Sequence, residues 1–398
     1  MSQEKLTAPT KYGFFGLNEL HSFFRKKISS YYIANDDINV MLDFSNVIYW
    51  DISALLWMVV ALDYFQRISA IDGKKFQFQF LFSQPSKKVN NIKDMTRKNK
   101  DLLRSADYLR RWRFFDALKN LNDNPSIYFI DEQKSYIDCD PLLYFQKGNS
   151  GLGGLFDELI SINLVEIRNL VDFTKPKDKR IIKEERVRYC LDEFIYKAMG
   201  PILSNRCGIE KDVASMFVTH LLWESLANSL QHPNATIGMF SISKIGPDHL
   251  ILVVADNGDP IPETIYEHYR LTYEGQGDRL PVVYKRCQFS KNLREEIITH
   301  ATKEGVSRKR LLLQNEYERF EKIKILRHGE EMGMGLTHIR DTTTGEFNGN
   351  LIIAADGISV RYTTRSKNLN TEPESIDFGF KWPGNLIRIQ LPLKEKKQ

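Results

Sequence analysis

Three polar side chains recur every four residues between positions 223 and 236, and their types suit a site for a metal ion and phosphate. Glu224, Asn228 and His232 would share one face of a helix, because residues four apart lie one above the other. Mg²⁺ accepts carboxylate and amide oxygens as ligands, and an imidazole can donate a hydrogen bond to phosphate. A solvated helix face would show the same spacing, so these residues alone do not decide between the two interpretations.

The apolar residues around these positions predict which face of the helix packs on the core. Leu222, Leu226 and Leu230 form a second stripe, roughly half a turn away, which predicts a face that packs on a core. Downstream, the apolar run 250–255 predicts a buried strand, and Asp256-Asn257-Gly258 predicts a turn at its end. A carboxylate is therefore expected where this strand breaks.

Two glycines precede a later helix-like run that continues through Arg340. Gly333 and Gly335, in Gly-Met-Gly-Leu, would leave the first amide N–H groups of that helix open to phosphate oxygens, and the helix dipole would add to the attraction. The chain thus offers Glu-x-x-x-Asn on a helix, Asp-x-Gly after a strand and Gly-x-Gly before a helix.

This order of motifs resembles the GHKL superfamily of histidine-kinase-like ATP-binding domains, and the serine kinases that act as anti-sigma factors are the most similar branch. The segment 382–392 is similar to the last strand of that domain. The resemblance implies a two-layer α/β sandwich over residues 187–398, with ATP and Mg²⁺ as cofactors and residues 259–332 as a long ATP lid. Apolar spacing predicts helices at 292–300 and 307–325 within this lid.

The resemblance also implies a role for each matching residue. Asn228 would hold Mg²⁺ against the phosphates, and Glu224 would orient or deprotonate the attacking water. Asp256 would accept the adenine amino hydrogens, and Gly258 would let the backbone approach the base. The other implied ATP-binding residues are His232, Gly333, Gly335, Leu336 and Asn385, the last at a position where many members carry threonine.

Three functions remain open under this resemblance. The first is slow ATP hydrolysis, with lid closure as a conformational switch for partner binding or dimerisation, which Glu224 favours as a general base. The second is transfer of the γ-phosphate to serine or threonine of a partner, as in anti-sigma kinases. The third is a non-catalytic ATP-sensing scaffold, which would need Asn228, Asp256 and the glycines. Gln231 stands where histidine kinases usually place a phosphate-contacting lysine.

The first 120 residues resemble a STAS domain, the α/β fold of anti-anti-sigma factors. The sequence predicts a strand over 38–47, a helix from Asp51 through Leu62, a strand over 75–82 with alternating phenylalanines, and a closing helix over 108–118. STAS switch domains commonly place two hydroxyl residues after the aspartate, but here Ile52 and Ala54 interrupt that pattern. Ser53 is therefore a possible phosphosite or simply an N-cap or first-turn residue.

The remaining sequence narrows the functional classes. Residues 121–186 have no assigned fold; the glycine-rich stretch 148–154 indicates a turn, and 175–186 a charged linker. The net charge of +5 is spread along the chain, so nucleic acid is not indicated. The longest apolar run, 54–62, is too short to span a membrane, and four scattered cysteines fit a reducing cytoplasm. The expected partners are ATP and another protein or a second copy.

Overall fold

The computed structural model of the chain divides into two compact units, made mainly of residues 1–161 and 162–398. Each unit combines helices with a sheet, so the fold is α/β overall, as the sequence predicted. The structure describes residues 4–11, 13–25, 38–71, 73, 75–83, 101, 105, 108–109, 112, 114–119, 121, 125–130, 136–138, 160–163, 221, 224–231, 235–245, 249–265, 292–302, 335–364, 373–377 and 384–392.

The first unit is built on a sheet with the strand order β1-β3-β5-β6-β7. The first four strands are parallel, and β7 is antiparallel to β6. A small parallel pair, β2 and β4, lies apart from this sheet. The strands are β1 Glu4–Thr7, β2 Phe14–Phe15, β3 Ile38–Asp43, β4 Tyr49–Trp50, β5 Phe76–Ser83, β6 Ser126–Ile130 and β7 Tyr136–Asp138, and the helices are α1 Leu17–Phe23, α2 Ile52–Ile71 and α3 Phe114–Lys119.

The predicted strand–helix–strand arrangement is confirmed, since β3 and β5 are parallel neighbours and α2 lies between them in the chain. The bounds differ, because β3 ends at Asp43 rather than at residue 47 and α2 continues to Ile71 rather than ending at Leu62. The alternation in β5 buries Phe78, Phe80 and Phe82, because successive strand residues point to opposite faces. Helix α3 begins at Phe114, within the predicted closing helix. The sheet then continues through β6 and β7, so it includes residues to which the sequence assigned no fold.

Helix α2 is buried along most of its length, from Ile52 through Asp63. Helix α2 has apolar residues on all sides rather than along one stripe, so neighbouring segments must cover more than one of its faces. The Asp51 carboxylate accepts a hydrogen bond of 2.7 Å from the Ser53 amide and so caps the helix. Ser53 is a first-turn residue, as one of the two interpretations expected, and its side chain is fully buried.

His21 on α1 is buried, and its ring meets the Trp57 indole edge-on with the ring centroids 4.7 Å apart. Burial lowers the pKa of this imidazole from 6.5 to about 3, because a protonated ring would lose its hydration. The folded protein therefore holds His21 neutral, whereas the unfolded chain takes up a proton as the pH falls below 6.5. The stability that neutral His21 allows is present above that pH and is lost as the pH falls toward 3.

We therefore expect the free energy of unfolding of the first unit to fall by about 2 kcal/mol between pH 7 and pH 5 through His21 alone. Urea unfolding followed by tryptophan fluorescence measures this change, because three of the five tryptophans, Trp50, Trp57 and Trp112, lie in this unit. His21→Phe should remove that part of the pH dependence, and His249→Gln, at an exposed position, should leave it. An unchanged pH slope in His21→Phe would contradict the assignment.

The second unit is built on a seven-stranded sheet with the order β13-β12-β11-β14-β10-β9-β8. The four pairs with a defined register, among β10 to β14, are antiparallel. Its strands are β8 Ile160–Asn163, β9 Ile237–Ile245, β10 His249–Asp256, β11 Asn350–Ala355, β12 Ile358–Tyr362, β13 Glu374–Asp377 and β14 Asn385–Pro392, and its helices are α4 Glu224–Gln231, α5 Asn292–Ala301, α6 Gly335–Asp341 and a π-helical turn Thr342–Glu346.

The apolar run 250–255 is the buried strand that the sequence predicted, since every residue in it is at most 2% exposed within β10. The helix predicted for 292–300 is confirmed as α5. The second helix expected in the lid, 307–325, lies outside the described residues, as do the turn at 148–154 and the linker at 175–186. None of the described helices has the length and apolar character that crossing a bilayer demands.

Candidate functional site

Helix α4 carries two of the predicted site residues and a row of buried serines. Ser225 donates a 2.6 Å hydrogen bond to the Leu221 carbonyl oxygen, and Ser229 lies one turn further along the same side. Both serines are buried, whereas Glu224 and Asn228 are partly exposed. The side chains of Leu226 and Leu230 lie outside the described residues. The serine row therefore faces the protein interior, and Glu224 and Asn228 border a more open side.

Asp256 ends β10 with a buried carboxylate that accepts three hydrogen bonds. The Ser229 hydroxyl donates to Oδ2 at 3.1 Å, the Gly258 amide donates to Oδ1 at 3.0 Å, and Asn385 Nδ2 donates to Oδ1 at 3.1 Å. These three donors hold the carboxylate in one orientation.

Asn385 begins β14 directly opposite Asp256 in the antiparallel register. Its Nδ2 also donates to the Asp259 carbonyl oxygen at 3.1 Å, and its Oδ1 accepts from the Ile261 amide at 2.7 Å. Both amide hydrogens are therefore used. In the structure, Asn385 ties the turn after Asp256 to the central strand.

Two further contacts fix the turn that follows β10. Asn257 Oδ1 accepts hydrogen bonds from the Thr236 and Ile237 amides at 2.8 and 3.0 Å, so it holds the start of β9. Gly384 lies at φ +76°, and a Cβ there would overlap the Asp256 carbonyl oxygen. Only glycine fits this close approach of two backbones without a shift.

The most informative contact joins α4 to α6. Gly335, the first residue of α6, packs against both polar side chains of α4: a Cβ there would lie 3.1 Å from Glu224 Oε2 and 3.4 Å from Asn228 Oδ1. Asn228 Nδ2 is buried and has no hydrogen-bond partner among the described residues. The Glu224 carboxylate and the Asn228 amide thus meet a glycine that lies more than 100 residues later in the chain, at the start of α6.

Helix α5, inside the predicted lid, is attached to the sheet and to α6. Arg294 forms an ion pair of 3.0 Å with Asp356 in the β11–β12 turn and donates to its carbonyl oxygen at 3.1 Å. The Thr337 hydroxyl on α6 donates to the Thr302 carbonyl oxygen at 3.0 Å. Thr302 shares a hydrogen bond with the Tyr362 phenol, and burial raises the pKa of that phenol above 10.0. A displacement of α6 would therefore reach the end of α5 directly.

The other predicted residues are distributed as follows. His232 and Gly333 lie outside the described residues, and Leu336 is partly exposed on the first turn of α6. Ser53 belongs to the first unit and is fully buried, so phosphate could reach its hydroxyl only after the start of α2 opens. Within the described ranges, no group of three His, Cys, Asp or Glu side chains is placed to hold a metal ion.

The sequence analysis missed two residues of this site. Ser229 was not singled out because a serine within a helix carries no distinctive signal, although its spacing of four from Ser225 matches a helical stripe. Gly384 was noted only within a strand motif, while its structural requirement depends on the pairing of β10 with β14. No family model matches the chain, and neither a curated protein nor a solved structure matches it.

Proposed function

We propose that the second unit binds ATP with Mg²⁺ in the manner of a GHKL domain and hydrolyses it slowly. The observation that carries this proposal is the contact of Gly335 with Glu224 and Asn228. The resemblance predicts that the Glu-x-x-x-Asn helix and the Gly-x-Gly helix start share one phosphate site. This function requires the two helices to pack together at that site. The order of the motifs along the chain does not by itself bring them into contact.

The phosphate end of the site would use both α4 side chains. Asn228 Oδ1 would bind Mg²⁺, and Nδ2, buried without a partner among the described residues, would gain an acceptor in a phosphate oxygen. Glu224, one helical turn away, would orient or deprotonate the water that attacks the γ-phosphate. Gly335 gives the phosphates room, since a side chain at this position would fill the space beside both residues.

The adenine end would lie at the turn after β10. Asp256 would accept the adenine amino hydrogens, and Gly258 would let the base approach the backbone. Asn385 and Ser229 would act by fixing the Asp256 carboxylate, with which both form hydrogen bonds. Asn385, at the position where many GHKL members carry a threonine, would contact adenine through water.

Nucleotide binding would act on a partner or on a second copy of the chain through the lid. What supports this part is the connection from α6 to α5 through Thr337 and Thr302. Phosphates bound at Gly335 would stabilise one position of α6, and α5 would follow because it is hydrogen-bonded to it. The lid would then present a different surface with and without ATP.

Equilibrium binding of ATP, measured by calorimetry with Mg²⁺ and again with EDTA, tests this function. Asn228→Ala is expected to weaken binding of the Mg²⁺ complex by at least about tenfold, since losing a metal ligand costs more than losing an outer-shell partner. Binding in EDTA should weaken less, because only the hydrogen bond from Nδ2 to phosphate is lost there. Ser375→Ala, exposed on β13, is the control. Absence of ATP binding at millimolar concentration would exclude the proposal.

A further inference from the structure

A cavity of about 150 Å³ lies on the opposite face of the seven-stranded sheet from Asp256 and Asn385. Its lining residues come from three adjacent strands and are Asn350, Ile352, Arg361, Arg388 and Gln390. Strand alternation establishes the side, because Asn385 and Arg388 are three positions apart on β14 and so point to opposite faces. Asn385 contacts Asp256, which is hydrogen-bonded to α4, so the cavity faces away from that helix.

Two arginines flank one isoleucine across this face. Ile352 on β11 is paired with Arg361 on β12 and with Arg388 on β14. The arginine Cα atoms are therefore about 10 Å apart, or two strand spacings. In the next row Asn350 is paired with Gln390, which adds two amide side chains. The cavity thus has an aliphatic centre bordered by two guanidinium groups and two amides.

We propose that this cavity binds a phosphate group. Each guanidinium presents several N–H donors in a fixed fork that matches phosphate oxygens. Two forks approaching from opposite sides, with two amide groups, supply more donors than the two oxygens of a carboxylate can accept, whereas a tetrahedral phosphate has an oxygen for each side. The two positive charges also match the charge of about −1.5 to −2 on a phosphate monoester at neutral pH.

Glu374 lies at the edge of this site and competes for one arginine. Its Oε2 is 3.6 Å from Arg361 Nη1, and the two side chains are 73% and 48% exposed. An ion pair this exposed is weak, so a phosphate that meets both arginines can displace it. Glu374→Gln is accordingly expected to tighten phosphate binding by up to about fivefold.

Titration of the full chain with inorganic phosphate, at constant ionic strength set with sodium chloride, tests the site by calorimetry. We expect saturable binding that Arg361→Gln and Arg388→Gln each weaken by at least about tenfold. Arg361 is exposed, so its replacement does not threaten folding. At the other position, Arg388→Lys keeps the positive charge but removes the forked guanidinium donors. Lys11→Gln, which removes an exposed charge in the first unit, should bind as the unaltered protein does.

Inorganic phosphate could also enter the proposed ATP site, and Asn228→Ala separates the two sites. Binding that persists in Asn228→Ala but falls in Arg361→Gln supports the sheet-face site, whether or not the protein binds ATP. Binding retained in both arginine variants, or no saturable binding, overturns it. Titration with phosphoserine then identifies the source, since tighter binding than inorganic phosphate assigns a phosphorylated side chain and weaker binding assigns the free ion.

Discussion

Glu224→Gln is expected to lower phosphate release from ATP by 10²- to 10⁴-fold, the usual contribution of a general base. The substitution keeps the size of the side chain and its position beside Gly335 but removes the carboxylate that would take a proton from water. ATP affinity should change by less than about threefold, because this interaction belongs to the transition state rather than to ground-state binding. The measurement follows free phosphate from γ-labelled ATP with Mg²⁺.

The matched control for this experiment is Glu346→Gln, at an exposed position on the π-helical turn. Its rate should equal that of the unaltered protein. If Glu224→Gln releases phosphate at an unchanged rate, Glu224 is not the general base. Label that appears on a protein, rather than as free phosphate, would assign the chain to the kinase alternative. ATP binding with neither signal would favour the ATP-sensing scaffold.

Gly384→Ala is expected to destabilise the second unit by roughly 3 to 5 kcal/mol, which combines left-handed strain with overpacking. The backbone at φ +76° is unfavourable for alanine, and the added Cβ would overlap the Asp256 carbonyl oxygen and come within 3.1 Å of Asn257 Cα. Neither backbone can move without disturbing the hydrogen bonds of the Asp256 turn. ATP binding should be lost together with stability, because the turn carries the adenine carboxylate of the proposed site.

Gly73→Ala separates strain from overlap, since Gly73 has φ +70° but, within the described part of the chain, no atom within 4 Å of an added Cβ. This control should cost only about 1 to 2 kcal/mol, the strain alone. Differential scanning calorimetry of the full chain measures both variants, and we expect a drop of roughly 10 °C in the transition of the second unit for Gly384→Ala. Equal losses in the two variants would show that the close approach to Asp256 is unimportant.

Local patterns predicted the parts of the fold that depend on neighbours in sequence. The strand ending at Asp256, the alternating β5 and helix α5 each follow from periodicity and a nearby turn signal. Contacts between distant residues could not be predicted in this way. Ser229 meets Asp256 across 27 positions and Asn385 meets it across 129, so both contacts depend on a strand order that local pattern does not encode.

The same limit applies to the cavity on the sheet face. Arg361 and Arg388 each read as an ordinary polar residue of a strand, and nothing in their spacing of 27 indicates that they flank one isoleucine. Their relation follows only from the insertion of β14 between β10 and β11. Glu224, Asn228 and Gly335 were predicted from the family resemblance rather than from local pattern, and the structure brings these three residues together.

The strand orders of the two sheets imply different timing during synthesis on the ribosome. In the first sheet, each strand of the order β1-β3-β5-β6-β7 pairs with the previous strand of the same sheet, so the sheet can grow as the chain emerges. The second sheet has β14, the last strand made, between β10 and β11. The strands on either side of β14 cannot join into one sheet until residue 392 has left the exit tunnel. The hydrogen bond between Asn385 and Asp256 cannot form before that point. A ribosome stalled shortly before that point would carry a complete first sheet and a second sheet in two separate parts.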